Sequence, residues 1–318
     1  MALTPQQHVP VLLPEVLRTL APGRPGVYVD ATFGRGGHAQ ALLAQLPAQA
    51  RLLVLDRDLQ AVAAARQLAE QDARLLVRHA AFADLAEVLQ ALQIEQVQGV
   101  LMDLGVSSPQ LDSAERGFSF RLSGPLDMRM DASQATTAAS WLQEASEKEI
   151  AEVIFRFGEE RFARRIAQRI VQARPLTTTA ELAELVKQAV PARFHGGKHP
   201  ATRTFQAIRM AINEEDSQLR AGLDAAFAAL AVSGRLAVIS FHSLEDRIVK
   251  QTFRHLSQPA PVPRRVPLRG ESAQPPGKLI GGAQRPGAEE LAVNPRARSA
   301  TLRVIEKING NPQAGAVA

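Results

Sequence analysis

Between Val27 and Asp103 short apolar runs alternate with stretches of helical spacing, and this alternation constrains the chain more than any other feature. Val27–Ala31, Arg51–Leu55, Arg74–Arg78 and Val97–Met102 read as strands. Gly37 to Leu46, the run through Leu59, Val62, Ala63 and Leu68, and Asp84–Leu92 read as helices. Repeated strand–helix–strand units cover a sheet on both faces and make it parallel. After Asp103 the alternation stops. From about Pro109 to Leu230 the chain offers a polar, Gly/Pro-punctuated segment and then successive helices, with a cap-and-start signal at Thr177-Thr-Thr-Ala-Glu181. The sheet resumes at Gly234–Ser240, a helix follows from Leu244 to Leu256, and Arg298–Ile305 reads as the last strand.

The expected architecture is α/β: a Rossmann-like, mostly parallel sheet domain from residues 1–110 and 231–318, with an inserted helical domain over 111–230 suited to substrate recognition. Residues 258–294, rich in Pro, Gly and Arg, are expected to form an extended basic arm. From Gln258 onward nine Lys/Arg face four Asp/Glu, which accounts for the whole net charge of +5. A basic arm on a neutral body suits a phosphate backbone, and a pI near 10.0 fits a nucleic-acid partner. No stretch approaches the roughly 20 apolar residues a membrane helix needs, and Met1 to Glu15 lacks a signal pattern, so a soluble, cytoplasmic protein is expected. The absence of cysteine closes thiolate metal sites and the covalent route to pyrimidine carbon-5 methylation.

Three strand ends carry the chemistry. Val29-Asp30-Ala-Thr-Phe-Gly34-Arg-Gly36-Gly37-His38 is a strand, a glycine turn and a helix start, where backbone approaches a nucleotide-like ligand closely. Asp56 ends the second strand about 20 residues further on, where an acid accepts ribose hydroxyls. The turn is not the Gly-x-Gly-x-x-Gly that cradles a pyrophosphate, which favours S-adenosylmethionine over a nicotinamide dinucleotide. Asp103 leaves the fourth strand in Asp103-Leu-Gly-Val-Ser-Ser-Pro109-Gln110, on the ligand-binding side of the sheet. An acid there can hold a poorly nucleophilic aryl amine in line with a methyl group, or simply cap the following turn. Asp103 is the candidate catalytic residue.

Other features have plainer readings. His195-Gly-Gly-Lys-His199 has a His-x-x-x-His spacing, but the glycines indicate a loop and no acid completes a zinc set, so no metal is expected. Lys198, His199 and Arg203 suit a phosphate contact equally well as a solvated face. Phe118-Ser-Phe120 can either sandwich an extruded base or belong to the core of the insert. Arg116, Arg296 and Arg298 are further candidates for RNA.

The blocks His8-Val-Pro-Val-Leu-Leu13, Asp30–His38, Asp103–Gln110, Gly124-Pro-Leu-Asp-Met-Arg-Met130, Lys198–Arg209, Ser240-Phe-His-Ser-Leu-Glu-Asp-Arg247 and Asn294-Pro-Arg-Ala-Arg-Ser299 resemble, in this order, the bacterial ribosomal RNA small subunit methyltransferase H (MraW) family. The resemblance implies a class I S-adenosylmethionine methyltransferase fold with a helical insertion, acting on the N4 amine of a decoding-centre cytidine in 16S rRNA within the small subunit. It also implies cofactor contacts at Gly36, Gly37, His38, Asp56, Phe82, Asp103 and Gln110. Two rival readings are a nicotinamide-dependent oxidoreductase and a non-catalytic RNA-binding assembly factor on the same scaffold. The missing pyrophosphate glycines speak against the first, and the retained Asp30, Asp56 and Asp103 against the second.

Overall fold

The computed structural model describes residues 10–20, 23–197, 199–259 and 274–309. Among them the chain forms two compact units, one of Met1–Gly105 with Gln218–Ala318 and one of Val106–Ser217. Lys198 and residues 260–273 of the basic arm lie outside the described residues.

The first unit opens with α1 (Leu13–Leu20), a short helix ahead of the first strand. It continues with β1 (Val27–Asp30), α2 (Gly37–Gln45), β2 (Arg51–Asp56), α3 (Leu59–Ala69), β3 (Leu75–His79), α4 (Leu85–Ala91) and β4 (Val97–Asp103). Asp58 starts α3 by accepting the Gln60 amide at 2.9 Å, so the second strand-end turn is also a helix cap.

The second unit holds α5 (Ser108–Asp112), α6 (Ala138–Glu144), α7 (Glu147–Gly158), α8 (Ala163–Gln172), α9 (Thr179–Ala189) and α10 (Ala201–Ile212). Its core gathers Phe118, Leu126, Met128, Ile150, Ile166 and Phe205 among others. The cap signal at 177–181 resolves to Thr178, whose hydroxyl accepts from the Glu181 amide at 3.2 Å while Glu181 accepts the Thr178 amide at 2.9 Å. Such a reciprocal box satisfies two orphan helix donors and contributes about 1 kcal/mol.

The chain then returns through α11 (Glu215–Ala229), β5 (Leu230–Ser240), α12 (Ser243–Leu256), β6 (Gly277–Leu279), α13 (Ala288–Val293) and β7 (Thr301–Lys307). The expected insert limits of 111 and 230 differ from the observed ones. From Gln218 onward α11 belongs to the sheet unit, because Leu219, Leu223, Ala226 and Phe227 join the core of Val100, Met102 and Leu236.

Among the described residues the strands form one sheet in the order β3-β2-β1-β4-β5-β7-β6. β1 to β5 are parallel, β7 runs antiparallel to β5, and β6 is antiparallel to β7. Alternation divides each strand between two cores: Leu52 and Val54 of β2, Ala237 and Ile239 of β5 face one, while Leu53, Leu55, Leu236 and Val238 face the other. Each such fully buried Leu or Ile contributes roughly 1.5–3 kcal/mol. The order with its single reversed strand β7 is the class I methyltransferase sheet.

The extended-arm expectation for 258–294 is corrected over its second part. Gly277–Leu279 pairs with β7 at the sheet edge, Gln284 bridges Leu302, and Glu290 accepts the Leu12 amide at 2.8 Å. The strand was hidden because Gly277 replaces the usual apolar signal. A Cβ there would stand 2.8 Å from Ile305 and 3.0 Å from Phe227, while Lys278 and Leu279 are exposed.

Candidate active site

β1, β2 and β4 end in Asp30, Asp56 and Asp103, so parallel pairing sets three acids along one edge of the sheet. The strand order reverses between β1 and β4. Such a switch point leaves a crevice at the carboxyl ends of the strands, where open α/β sheets bind ligands.

Asp56 ties the glycine turn to the sheet. Its Oδ2 accepts the Gly34 amide at 2.8 Å and its Oδ1 the Asp58 amide at 2.8 Å. Burial pushes its carboxyl above the ordinary range, and these backbone donors oppose the shift. Each oxygen retains a lone pair, which lets the carboxylate accept two vicinal hydroxyls. In the turn Gly34 and Gly36 have φ of +55° and +75°, and a Cβ at Gly36 would meet the Phe33 ring at 2.5 Å. Only glycine fits, and α2 begins there without a side-chain cap, leaving its first amides to be satisfied otherwise.

Asp30 and Asp103 differ from Asp56 in being incompletely satisfied. Asp30 Oδ1 accepts the Thr32 amide at 3.1 Å, and Thr32 Oγ1 accepts the Asp103 amide at 2.7 Å. The buried Asp30 Oδ2 and Asp103 Oδ1 have no partner among the described residues. Burial raises Asp30 to about 7, against the Thr32 amide and with a contribution from Asp56. Burial raises Asp103 to about 8, helped by the charges of Asp30 and Glu245. An orphaned buried acceptor costs about 1–3 kcal/mol, more when charged. A ligand that brings positive charge and hydrogen-bond donors relieves that cost, so the donor set fits a cationic, ribose-bearing molecule.

His38 is buried, with Nε2 3.0 Å from the Val11 carbonyl and Nδ1 3.6 Å from Asp103 Oδ2. Gly37 packs under Pro10, where a Cβ would stand 2.4 Å away. Phe82, half-buried in the turn after β3, lies over Gly222 of α11, whose added Cβ would meet its ring at 2.4 Å. Gln110 belongs to the insert unit. It is buried there and accepts the Ser107 amide at 2.9 Å, closing the cap of α5.

Two acids of the site carry little signal in the sequence alone. Asp30 was legible as a strand end but not as a carboxylate with an unpartnered oxygen. Glu245, 4% exposed, accepts the Phe241 amide at 2.9 Å and faces His242 Nε2 at 3.1 Å; its only signal was the Ser240–Arg247 block.

The candidate RNA residues scatter. Arg116 donates to the Arg129 and Met130 carbonyls at 3.1 and 3.0 Å, holding a loop of its own unit. His199 is exposed and stacks on Phe120 at 4.5 Å, while Arg203, 60% exposed, faces Glu160 at 3.8 Å. Arg296 and Arg298 are exposed on the short helical turn before β7. Phe118 is buried in the insert core and Phe120 packs edge-on to Phe205, so this pair is core. Within the insert a cavity of about 350 Å³ is bordered by Glu160, Phe162, Phe194, His199 and Arg203.

Comparison with known proteins agrees with this geometry. A ribosomal RNA small subunit methyltransferase H from Nitrosococcus oceani is 54% identical over 305 residues, covering 94% of this chain and 96% of that protein. The protein of the same name from Aromatoleum aromaticum is 53% identical over 308 residues, covering 96% and 98%. The model of the MraW methylase family matches residues 5–308. With near full-length identity above one half and a class I sheet beneath it, the chain belongs to the MraW methylase family of S-adenosylmethionine-dependent methyltransferases.

Proposed function

We propose that this protein transfers the methyl group of S-adenosylmethionine to the exocyclic N4 amine of a decoding-centre cytidine in the 16S rRNA of the small ribosomal subunit. Family membership and the names of its relatives support rRNA methylation. The observation that carries the reading is the pair of buried, partnerless oxygens on Asp30 and Asp103 at the β1/β4 switch point.

When bound, S-adenosylmethionine supplies an electrophilic methyl group on a positively charged sulfur. Asp56, already fixed by Gly34 and Asp58, takes the ribose hydroxyls. Gly36 and Gly37 let the backbone approach, and Phe82 offers an apolar face to the base. Asp30 sets a carboxylate against the cationic part of the ligand. Asp103 accepts a hydrogen bond from the amine, which orients the nitrogen lone pair toward the methyl group. The Asp103 carboxylate would then take the proton that the amine nitrogen gives up on methylation. A carboxylate in a buried site is a better proton acceptor than an ordinary Asp, and the positive ligand keeps it ionised until that moment. Exposed His199, Arg203, Arg296 and Arg298 supply phosphate contacts that position the RNA.

The test is transfer of labelled methyl to small subunits lacking N4-methylcytidine, followed by mass spectrometry of the digested nucleosides. N4-methylcytidine at one site is the expected product. No transfer to subunits or to free 16S rRNA would overturn the reading, and loss of transfer in Asp103→Ala with RNA binding retained within a few-fold separates the enzyme from a binding scaffold.

A further inference from the structure

The insert carries an arginine row whose placement works against its own helix. Residues 161–174 contain Arg161, Arg164, Arg165, Arg169 and Arg174 and no acid. Helix α8 buries Ala163, Ile166, Ala167 and Ile170, and exposes Arg164, Arg165, Gln168 and Arg169 on the opposite face. Arg164 and Arg165 stand in the first turn, where the helix dipole is positive and cations are unfavourable. The flanking helices α7 and α9 do the reverse: α7 starts with Glu147 and Glu149 and ends with Arg156, and α9 starts with Glu181 and ends with Lys187. Arg165 and Arg169 also repeat at the i,i+4 spacing at which like charges repel. Helix stability therefore does not account for this row.

Neighbouring side chains hold the row without neutralising it. The Arg161 guanidinium lies 3.6 Å from the Phe194 ring centroid and 5.0 Å from that of Phe162, and Arg193 lies 5.0 Å from Phe194. Stacking occupies the face of a guanidinium and leaves its edge donors available. Among the described residues none of Arg161, Arg164, Arg165, Arg169 and Arg193 is in an ion pair; the adjacent Glu160 accepts the Phe162 amide and faces Arg203.

We propose that this face, Arg164, Arg165 and Arg169 on α8 with Arg161 in the turn before it and the Phe194-stacked Arg193, docks the sugar–phosphate backbone of the RNA substrate. A ten-residue helix spans about 15 Å, several phosphates of one strand at about 3.4 Å each, and an acid-free cationic row of that length is complementary to a linear polyanion. The proposal rests on the reading of the protein as an rRNA methyltransferase, and adds a surface the family motifs do not include. Its contacts position the RNA and do not read bases.

The experiment compares the full-length protein with Arg161→Gln/Arg165→Gln and with Arg161→Lys/Arg165→Lys, measuring affinity for small subunits across a salt titration. Two lost phosphate contacts on a single strand should lower the slope of log affinity against log salt by about 1.4. The Gln pair should weaken binding about tenfold or more at low salt, with S-adenosylmethionine binding and melting temperature unchanged, and the Lys pair should restore most of the slope. An unchanged slope and affinity in the Gln pair would overturn the surface, as would equal weakening by both pairs, which would indicate a role for shape and not charge. Should the Gln pair fail to fold, Arg164→Gln/Arg169→Gln on the same exposed face takes its place under the same criteria. Arginine-dependent binding without any methyl transfer would sink the proposed function and leave this surface standing.

Discussion

His38 Nδ1 stands 3.6 Å from Asp103 Oδ2 while Nε2 of the same ring lies 3.0 Å from the Val11 carbonyl. A carbonyl only accepts, so the Nε2 proton of His38 is donated to Val11 and the ring is held with its other nitrogen toward Asp103. Asp103 itself exists in a protonated and an ionised form, and the protonated form is the one that burial favours. That form dominates in the ligand-free protein near neutral pH, because burial and the charges of Asp30 and Glu245 lift the carboxyl to about 8.

The first prediction follows from that shift. The unfolded chain releases the Asp103 proton near 3.9, so the folded protein binds it more tightly. Its stabilising contribution is complete below about pH 4 and is lost as pH rises through about 8. Asp103→Asn removes the titration while keeping the shape. In thermal melts without ligand, the Tm of the Asn variant relative to the parent should climb between pH 5 and 8. A constant difference across that range would remove Asp103 from the pH dependence.

Ligand binding should draw on the same protons. Asp30, raised to about 7, and Asp103 must both be ionised to face a cationic ligand. Binding of S-adenosylmethionine is therefore expected to release protons at pH 7 and to tighten as pH rises from 6 to 8. Calorimetry in two buffers of different ionisation enthalpy measures the release directly. Buffer-independent heats would show that the acids keep their protons in the complex.

Asp56 has a double duty that two substitutions can divide. Asp56→Ala leaves the Gly34 and Asp58 amides without their acceptor, each at a cost of about 1–3 kcal/mol if buried. It should lower both Tm and cofactor affinity. Asp56→Asn keeps one oxygen as acceptor and should recover part of the stability, while cofactor binding stays at least tenfold weak for want of a second ribose acceptor. Equal cofactor affinity in Asp56→Asn and the parent would show that the ribose lies elsewhere.

How far the sequence revealed this arrangement varies with the kind of signal. β1, β2, β4 and β5 were legible because strands buried on both faces must be apolar throughout, and Asp56 was legible because it follows such a run at a telling distance from the glycines. β6 has no strand signal of its own, since Gly277 is there to make room for Ile305 and Phe227, a demand set by residues far along the chain. The placing of α11 with the sheet is equally hidden, because its apolar positions fit a helical bundle just as well until Val100 and Leu236 are known to lie beneath them. The unpartnered oxygens of Asp30 and Asp103 belong to the same class: type and spacing name an acid, and only the fold shows which of its oxygens is left unsatisfied.

The insert supplies the last prediction, at a residue that family motifs and charge both pass over. Asn213 is fully buried at the end of α10. Its Oδ1 accepts the Met130 amide at 2.8 Å, and its Nδ2 donates to the Met128 and Arg209 carbonyls, each at 2.8 Å. Met128 is held at φ +61°, a conformation that a non-glycine residue adopts only when its surroundings enforce it. One amide side chain therefore clamps the 128–130 loop, using a donor and an acceptor that no isosteric apolar residue can replace. Asn213→Ala orphans the Met130 amide and the Met128 carbonyl together, and should destabilise the protein by about 2–4 kcal/mol in urea unfolding. Asn213→Asp keeps the acceptor for Met130 but sets an oxygen against the Met128 carbonyl, and should be no better than Ala at neutral pH. Hydrogen exchange supplies the local readout: the Met130 amide should lose protection in both variants. A loss of less than about 0.5 kcal/mol with that protection intact would mean that the loop holds its strained turn without the clamp.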